Sequence, residues 1–90
     1  MNTTVVNMRT SQYDARIDRA TAWGNPFHIG RDGDRRTVVA KYRRMVEEKS
    51  TAQSLWIHRN IESLRGKRLG CWCAPLECHG NVLIELLDSL

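Results

Sequence analysis

The chain contains no apolar run approaching the ~20 residues that a helix needs to cross a bilayer. Its start, MNTTVVNMRT, lacks both the basic n-region and the apolar h-region of a secretory signal. An intracellular, cytoplasmic protein with no membrane partner is therefore expected. Internal repeats and low-complexity segments are also missing, so no array or biased tail has to be accounted for. Three cysteines are an odd number for a disulfide framework, and a reducing compartment keeps them as thiols. Thiolate chemistry, metal ligation and plain burial remain open to them.

What is present fits one small domain, residues 1–90. A chain of 90 residues can bury one modest core and not two. Hydrophobic content of 41% beside 27% charged residues is ordinary for a globular fold and far from the composition of disorder. The net charge of +4 arises from 14 basic and 10 acidic residues and is concentrated in RDGDRR, KYRR and RGKR. It favours an anionic partner, yet no helix carries an unbroken basic stripe.

Hydrophobic spacing predicts the order β-β-α-α-β-α. TVVNMR, residues 4–9, is a short β-branched run and reads as a strand. In YDARIDR, residues 13–19, Tyr13, Ala15 and Ile17 alternate with charged residues, as a half-buried strand would. A hairpin between the two is one arrangement; a short loop that redirects the second strand is the other. Asp34 can cap a helix with Val38, Val39, Tyr42, Met45 and Val46 on one face. A second helix over residues 51–64 turns Ile57, Ile61 and Leu64 inward and stops at Gly66. KRLGCWC is the third strand, with Leu69, Cys71 and Cys73 on one face, and Pro75 ends it. HGNVLIELLDSL closes the chain as an amphipathic helix through Val82, Leu83, Leu86, Leu87 and Leu90. The expected fold is α/β, with α+β as the alternative: a three-stranded sheet covered by three helices.

Two stretches are chemically distinctive. WGNPFHIGRDGD, residues 23–34, holds three glycines and a proline and forms no regular element, while Trp23, Phe27 and Ile29 give it apolar surface to pack down. It reads either as an ordered cover for the core or as a pocket wall that offers Trp23, Gly24, Asn25, Phe27 and His28 to a ligand. GCWCAPLECHG, residues 70–80, carries all three cysteines and places Cys78 and His79 at the start of the last helix. A strand's carboxyl end facing a helix's amino end is where α/β proteins commonly bind ligands, and the helix end favours anions and thiolates. Three readings stay open there. Cys78 is a reactive thiol with His79 as its acid–base partner; Cys71, Cys73, Cys78 and His79 are four zinc donors; or the cysteines are small buried apolar residues. His58 is expected to be solvated, and Trp56 and Trp72 to pack against the core or sheet.

WGNPF followed by LRGKRLGCWCAP and CHG resembles a bacterial and phage family catalogued as domain of unknown function 4326. The resemblance extends from VVNMR through the helix after Gly80. It departs at Asn81, where an Asp is expected. A second uncharacterised family, domain of unknown function 488, has a similar strand-cysteine and Cys-His ending. Neither resemblance supplies a reaction. If the protein is phage-encoded, the host cytoplasm is its compartment. Two functional classes follow. One is an enzyme or binding domain for a nucleotide or other phosphorylated small anion, centred on the cysteine corner with WGNPF as a lid. The other is a zinc-stabilised basic module that acts on nucleic acid or a host protein.

Overall fold

Residues 2–90 are described by a computed structural model. The elements are β1 (Thr4–Asn7), β2 (Ala15–Arg16), α1 (Arg35–Glu48), α2 (Ala52–Asn60) continued by a 3-10 turn (Ile61–Leu64), β3 (Arg68–Cys71) and α3 (His79–Asp88). This is the expected order, and the fold is α/β.

The sheet is parallel throughout, in the order β1-β3-β2, so β1 and β2 flank β3 and do not pair with each other. Of the two arrangements open to β1 and β2, the redirected strand is the one formed. Asp14 explains the register. Its backbone N–H donates to the Arg68 carbonyl, while its carboxylate accepts from the Arg68 backbone N–H at 2.8 Å and from the Arg68 guanidinium at 2.9 and 3.0 Å. That guanidinium holds the Asp14 carboxyl down at about 2. To bring β2 alongside β3, residues 8–14 recross the sheet, and they pass directly over Gly70. A Cβ at position 70 would lie 2.7 Å from Met8 Cγ and 2.9 Å from Tyr13 Cγ. Glycine is required there by close approach, and no helix is needed on that part of the face.

The helices gather on the opposite face, against Val5, Leu69 and Cys71. Ile17, Val39, Tyr42, Val46, Ile57, Leu64, Leu69, Leu83 and Leu87 form the centre of the core. Asp34 caps α1 as expected, accepting from the Thr37 N–H at 2.8 Å. Thr51 and Ser54 form a reciprocal box at the start of α2. The predicted second helix is α-helical only to Asn60, beyond which it tightens into the 3-10 turn.

Several expectations are corrected by this packing. β3 ends at Cys71, so Cys73 belongs to the following turn rather than to the strand face. β2 is two residues long; Ile17 is fully buried but Tyr13 is exposed. Ile29 and Leu90 also lie exposed instead of packing down. His58 is half-buried: its Nε2 lies 2.8 Å from the Val46 carbonyl and, facing an acceptor, donates to it, tying α2 to α1. No helix among the described residues is long and apolar enough to cross a membrane.

Candidate functional site

In a parallel sheet every strand delivers its carboxyl end to the same edge, and that edge is where this molecule opens. A cavity of about 370 Å³ lies between the ends of β2 and β3 and the amino ends of α1 and α3. Val38, Val39 and Ile29 supply an apolar wall, Cys71, Cys73 and Cys78 one end, and Asp18, Arg19, Arg35, Glu77 and His79 the polar groups. The size suits a small ligand.

The two buried cysteines meet. Cys71 Sγ and Cys78 Sγ are 3.5 Å apart, although seven positions separate them in the chain. Cys71 is the last residue of β3, and Cys78 is the N-cap of α3, its sulfur accepting from the Gly80 N–H at 3.4 Å. Asn81 completes this cap, because its Oδ1 accepts from the Cys78 N–H at 3.0 Å. Asn81 thus has a structural task of its own. The turn between the cysteines contains a cis Ala74–Pro75 bond and is braced by Asn7, whose Nδ2 donates to the carbonyls of Trp72 and Ala74.

Proton sharing makes the two thiols unequal. The Cys78 S–H donates to Cys71, and with the N–H groups of Cys73 and Ala74 and the charge of Arg35 this outweighs burial and draws the Cys71 thiol below its ordinary value. The Cys71 thiolate and burial together push Cys78 up. A helix amino end alone favours ionisation of Cys78. Cys71 prevails because it collects more donors. Within the pair, the surrounding donors therefore favour the thiolate at Cys71 and the thiol at Cys78.

His79 is buried and its ring stands edge-on to Tyr42, at 5.4 Å between centroids. Its Nε2 bonds the Ile17 carbonyl; a carbonyl only accepts, so Nε2 carries the proton and Nδ1 keeps its lone pair. Burial holds the ring below its ordinary value, so it is neutral at pH 7. Cys71, Cys73, Cys78 and His79 do not form one coordination sphere: among the described residues no three His, Cys, Asp or Glu side chains are arranged to hold a metal ion.

Of the loop residues singled out for ligand binding, Asn25 alone lines the cavity. Trp23 is in the core, 4.7 Å from Trp56 between centroids, and its carbonyl accepts from the buried Tyr42 hydroxyl at 2.7 Å. Gly24 lets the loop touch the chain after β2: a Cβ there would be 2.6 Å from Arg19 Cα and 2.8 Å from the Asp18 carbonyl. Phe27 lies half-buried beneath Lys41. His28 is exposed and held by the Asp32 carboxylate through its backbone N–H, away from the cysteines. The stretch WGNPF is chiefly a brace. Arg19 strengthens it by donating to the carbonyls of Asn25 and Phe27.

Asp18 and Arg19 were not singled out by the sequence reading. Asp18 is buried, accepts from Arg16 at 2.6 and 3.2 Å and from Trp72 Nε1 at 3.1 Å, and is held ionised by the Arg16 guanidinium. Trp72 is half exposed and thereby oriented at the rim. The usable signal was position: both residues follow β2 immediately, and in a parallel sheet the residues after a strand fall at the site.

Fold and site together define a small α/β domain with a dithiol at a strand-to-helix corner. The chain belongs to the family described as Domain of unknown function (DUF4326), whose profile matches residues 2–89. It is similar to the uncharacterized 12.4 kDa protein in the nrdA-td intergenic region of Enterobacteria phage T4. The two are 34% identical over 88 residues, which cover 96% of this chain and 78% of the relative. No solved structure matches.

Proposed function

We propose that the cavity receives a small anion of the nucleotide or other phosphorylated class, with the Cys71–Cys78 pair as its reactive centre and His79 as a neighbouring acid–base group. The observation that carries this reading is the convergence of the paired Cys71 and Cys78 sulfurs, Arg35 and the amino ends of α1 and α3 on one cavity. Helix amino ends and guanidinium groups attract phosphate, and the apolar wall of Val38 and Val39 suits a base or another uncharged part of the ligand.

The charge distribution favours a small ligand over a nucleic-acid surface. Arg16, Arg31, Arg43, Arg44, Arg65 and Arg68 are all engaged in ion pairs with carboxylates of this chain. Lys41 donates to the Asp32 carbonyl. Six of the fourteen basic residues are thus paired with carboxylates of this chain, and Arg35 lines the cavity.

Alkylation of Cys71 by iodoacetamide tests both parts of the proposal. Its rate should rise with pH and level off below the ordinary thiol range of ~8.5, and a nucleoside mono- or diphosphate should slow it. Arg35→Ala should abolish the protection. The reading fails if no phosphorylated compound protects at millimolar concentration. It also fails if the protein instead forms a tight, salt-sensitive complex with nucleic acid that Cys71→Ser leaves unchanged.

A further inference from the structure

We infer that Cys71 and Cys78 form a reversible redox site, in which a hydroperoxide oxidises the pair to an intramolecular disulfide while Cys73 remains a free thiol. This goes beyond the ligand reading and starts from the thiol geometry, so a cavity that binds no anion leaves it intact. The sulfurs are 3.5 Å apart, and closing to the ~2.05 Å of a disulfide asks for a displacement well within a turn's reach. Both sulfurs are almost fully buried in the core yet border the same cavity, which gives a small oxidant a path to them. Cys73 lies on the turn between them and lines the cavity as well, but the hydrogen bond between sulfurs joins Cys71 to Cys78.

The chemistry balances with the hydroperoxide as the one external reactant. The Cys71 thiolate attacks the terminal peroxide oxygen and the O–O bond breaks. The departing alkoxide or hydroxide takes a proton from solvent, and Cys71 becomes a sulfenic acid. The Cys78 thiol then attacks that sulfur, the S–S bond forms as the S–O bond breaks, and the sulfenic hydroxyl leaves with the thiol proton as water. Two features divide these roles. The Cys71 sulfur collects hydrogen bonds that favour the thiolate, and Cys78 retains its proton beside it as the resolving thiol. Oxidation would remove the nucleophile from the cavity, and an external thiol would restore it.

The test is to expose the reduced full chain to hydrogen peroxide, alkylate the remaining thiols, and locate the products by peptide mass spectrometry. The expected result is a Cys71–Cys78 linkage that dithiothreitol reverses, with Cys73 alkylated. In Cys78→Ser, a sulfenic acid should accumulate at Cys71 and be trapped by dimedone; in Cys71→Ser, Cys78 should stay reduced at the same peroxide dose. A disulfide involving Cys73, linkage only between chains, or oxidation of Cys71 to the sulfinic acid with no disulfide in the unaltered protein would overturn the inference. Because that mapping uses the natural sequence, it decides the matter even if a cysteine variant fails to fold.

Discussion

Replacing Asn25 by Ala isolates the contribution of the loop brace to the whole molecule. Asn25 is 6% exposed, and its amide is used at both ends: Nδ2 donates to the Val38 carbonyl at 3.0 Å, and Oδ1 accepts from the Phe27 N–H at 2.9 Å. The first bond joins residues 13 positions apart and ties the loop to α1; the second closes the turn at Pro26. Two net hydrogen bonds at ~0.5–1.5 kcal/mol each give a destabilisation of about 1–3 kcal/mol. In a domain of this length that lowers the melting temperature by about 5–20 °C. Asn25→Asp sharpens the test. It keeps the acceptor for Phe27 but turns a carboxylate oxygen toward the Val38 carbonyl, so at neutral pH it should lose at least as much as the Ala variant. Thermal melts followed by far-ultraviolet circular dichroism read both. An Asp variant as stable as the natural protein would refute the bond to Val38, and an Ala variant within about 2 °C of it would refute the brace as a whole.

Burial keeps His79 neutral, so between its depressed folded value and its ordinary 6.5 the unfolded chain takes up a proton that the folded chain refuses. Stability should therefore fall as the pH drops from 6.5 toward 5, by up to ~1.4 kcal/mol per pH unit, and His79→Asn should flatten that slope in urea titrations. An unchanged slope in the variant would show that another group is responsible. The lowered carboxyls of Asp14 and Asp18 act in a separate window, since their stabilisation is lost only as the pH falls below ~4. Gly24→Ala should destabilise more than Gly70→Ala. The added methyl meets Arg19 and Asp18 backbone at position 24, but side-chain atoms of Met8 and Tyr13, which can shift, at position 70. Chemical denaturation of the two variants should give that ranking; the reverse would mean that residues 8–14 are more rigid over the sheet than the packing implies.

Local rules were enough for much of the fold. The spacing of Val38, Val39, Tyr42, Met45 and Val46 marked the buried face of α1, and all five are buried there. Asp34 announced the cap, and Leu69 and Cys71 the inward side of β3. These assignments depend on periodicity and on side chains that reach their own backbone, which neighbouring residues settle among themselves. The extent of β2 was less legible because a strand two residues long has no period to measure. Pro75 and the turn it occupies likewise ended β3 earlier than alternation through Cys73 suggested.

The sequence by itself determined the class of the protein, the order of its elements, the capping of α1 and the stretch of chain that carries its thiols. Tertiary structure alone decided that β2 runs parallel to β3, because that depends on Asp14 finding Arg68 across 54 positions of chain. It also decided which donors surround which sulfur. Cys71 is drawn down by groups brought from the turn after β3, α1 and the cap of α3 while Cys78 is pushed up, and a charge responds to everything within a few ångströms regardless of sequence separation. For the same reason Asp18 and Arg19, unremarkable along the chain, become walls of the cavity: parallel pairing carries the end of β2 to the edge where β3 ends.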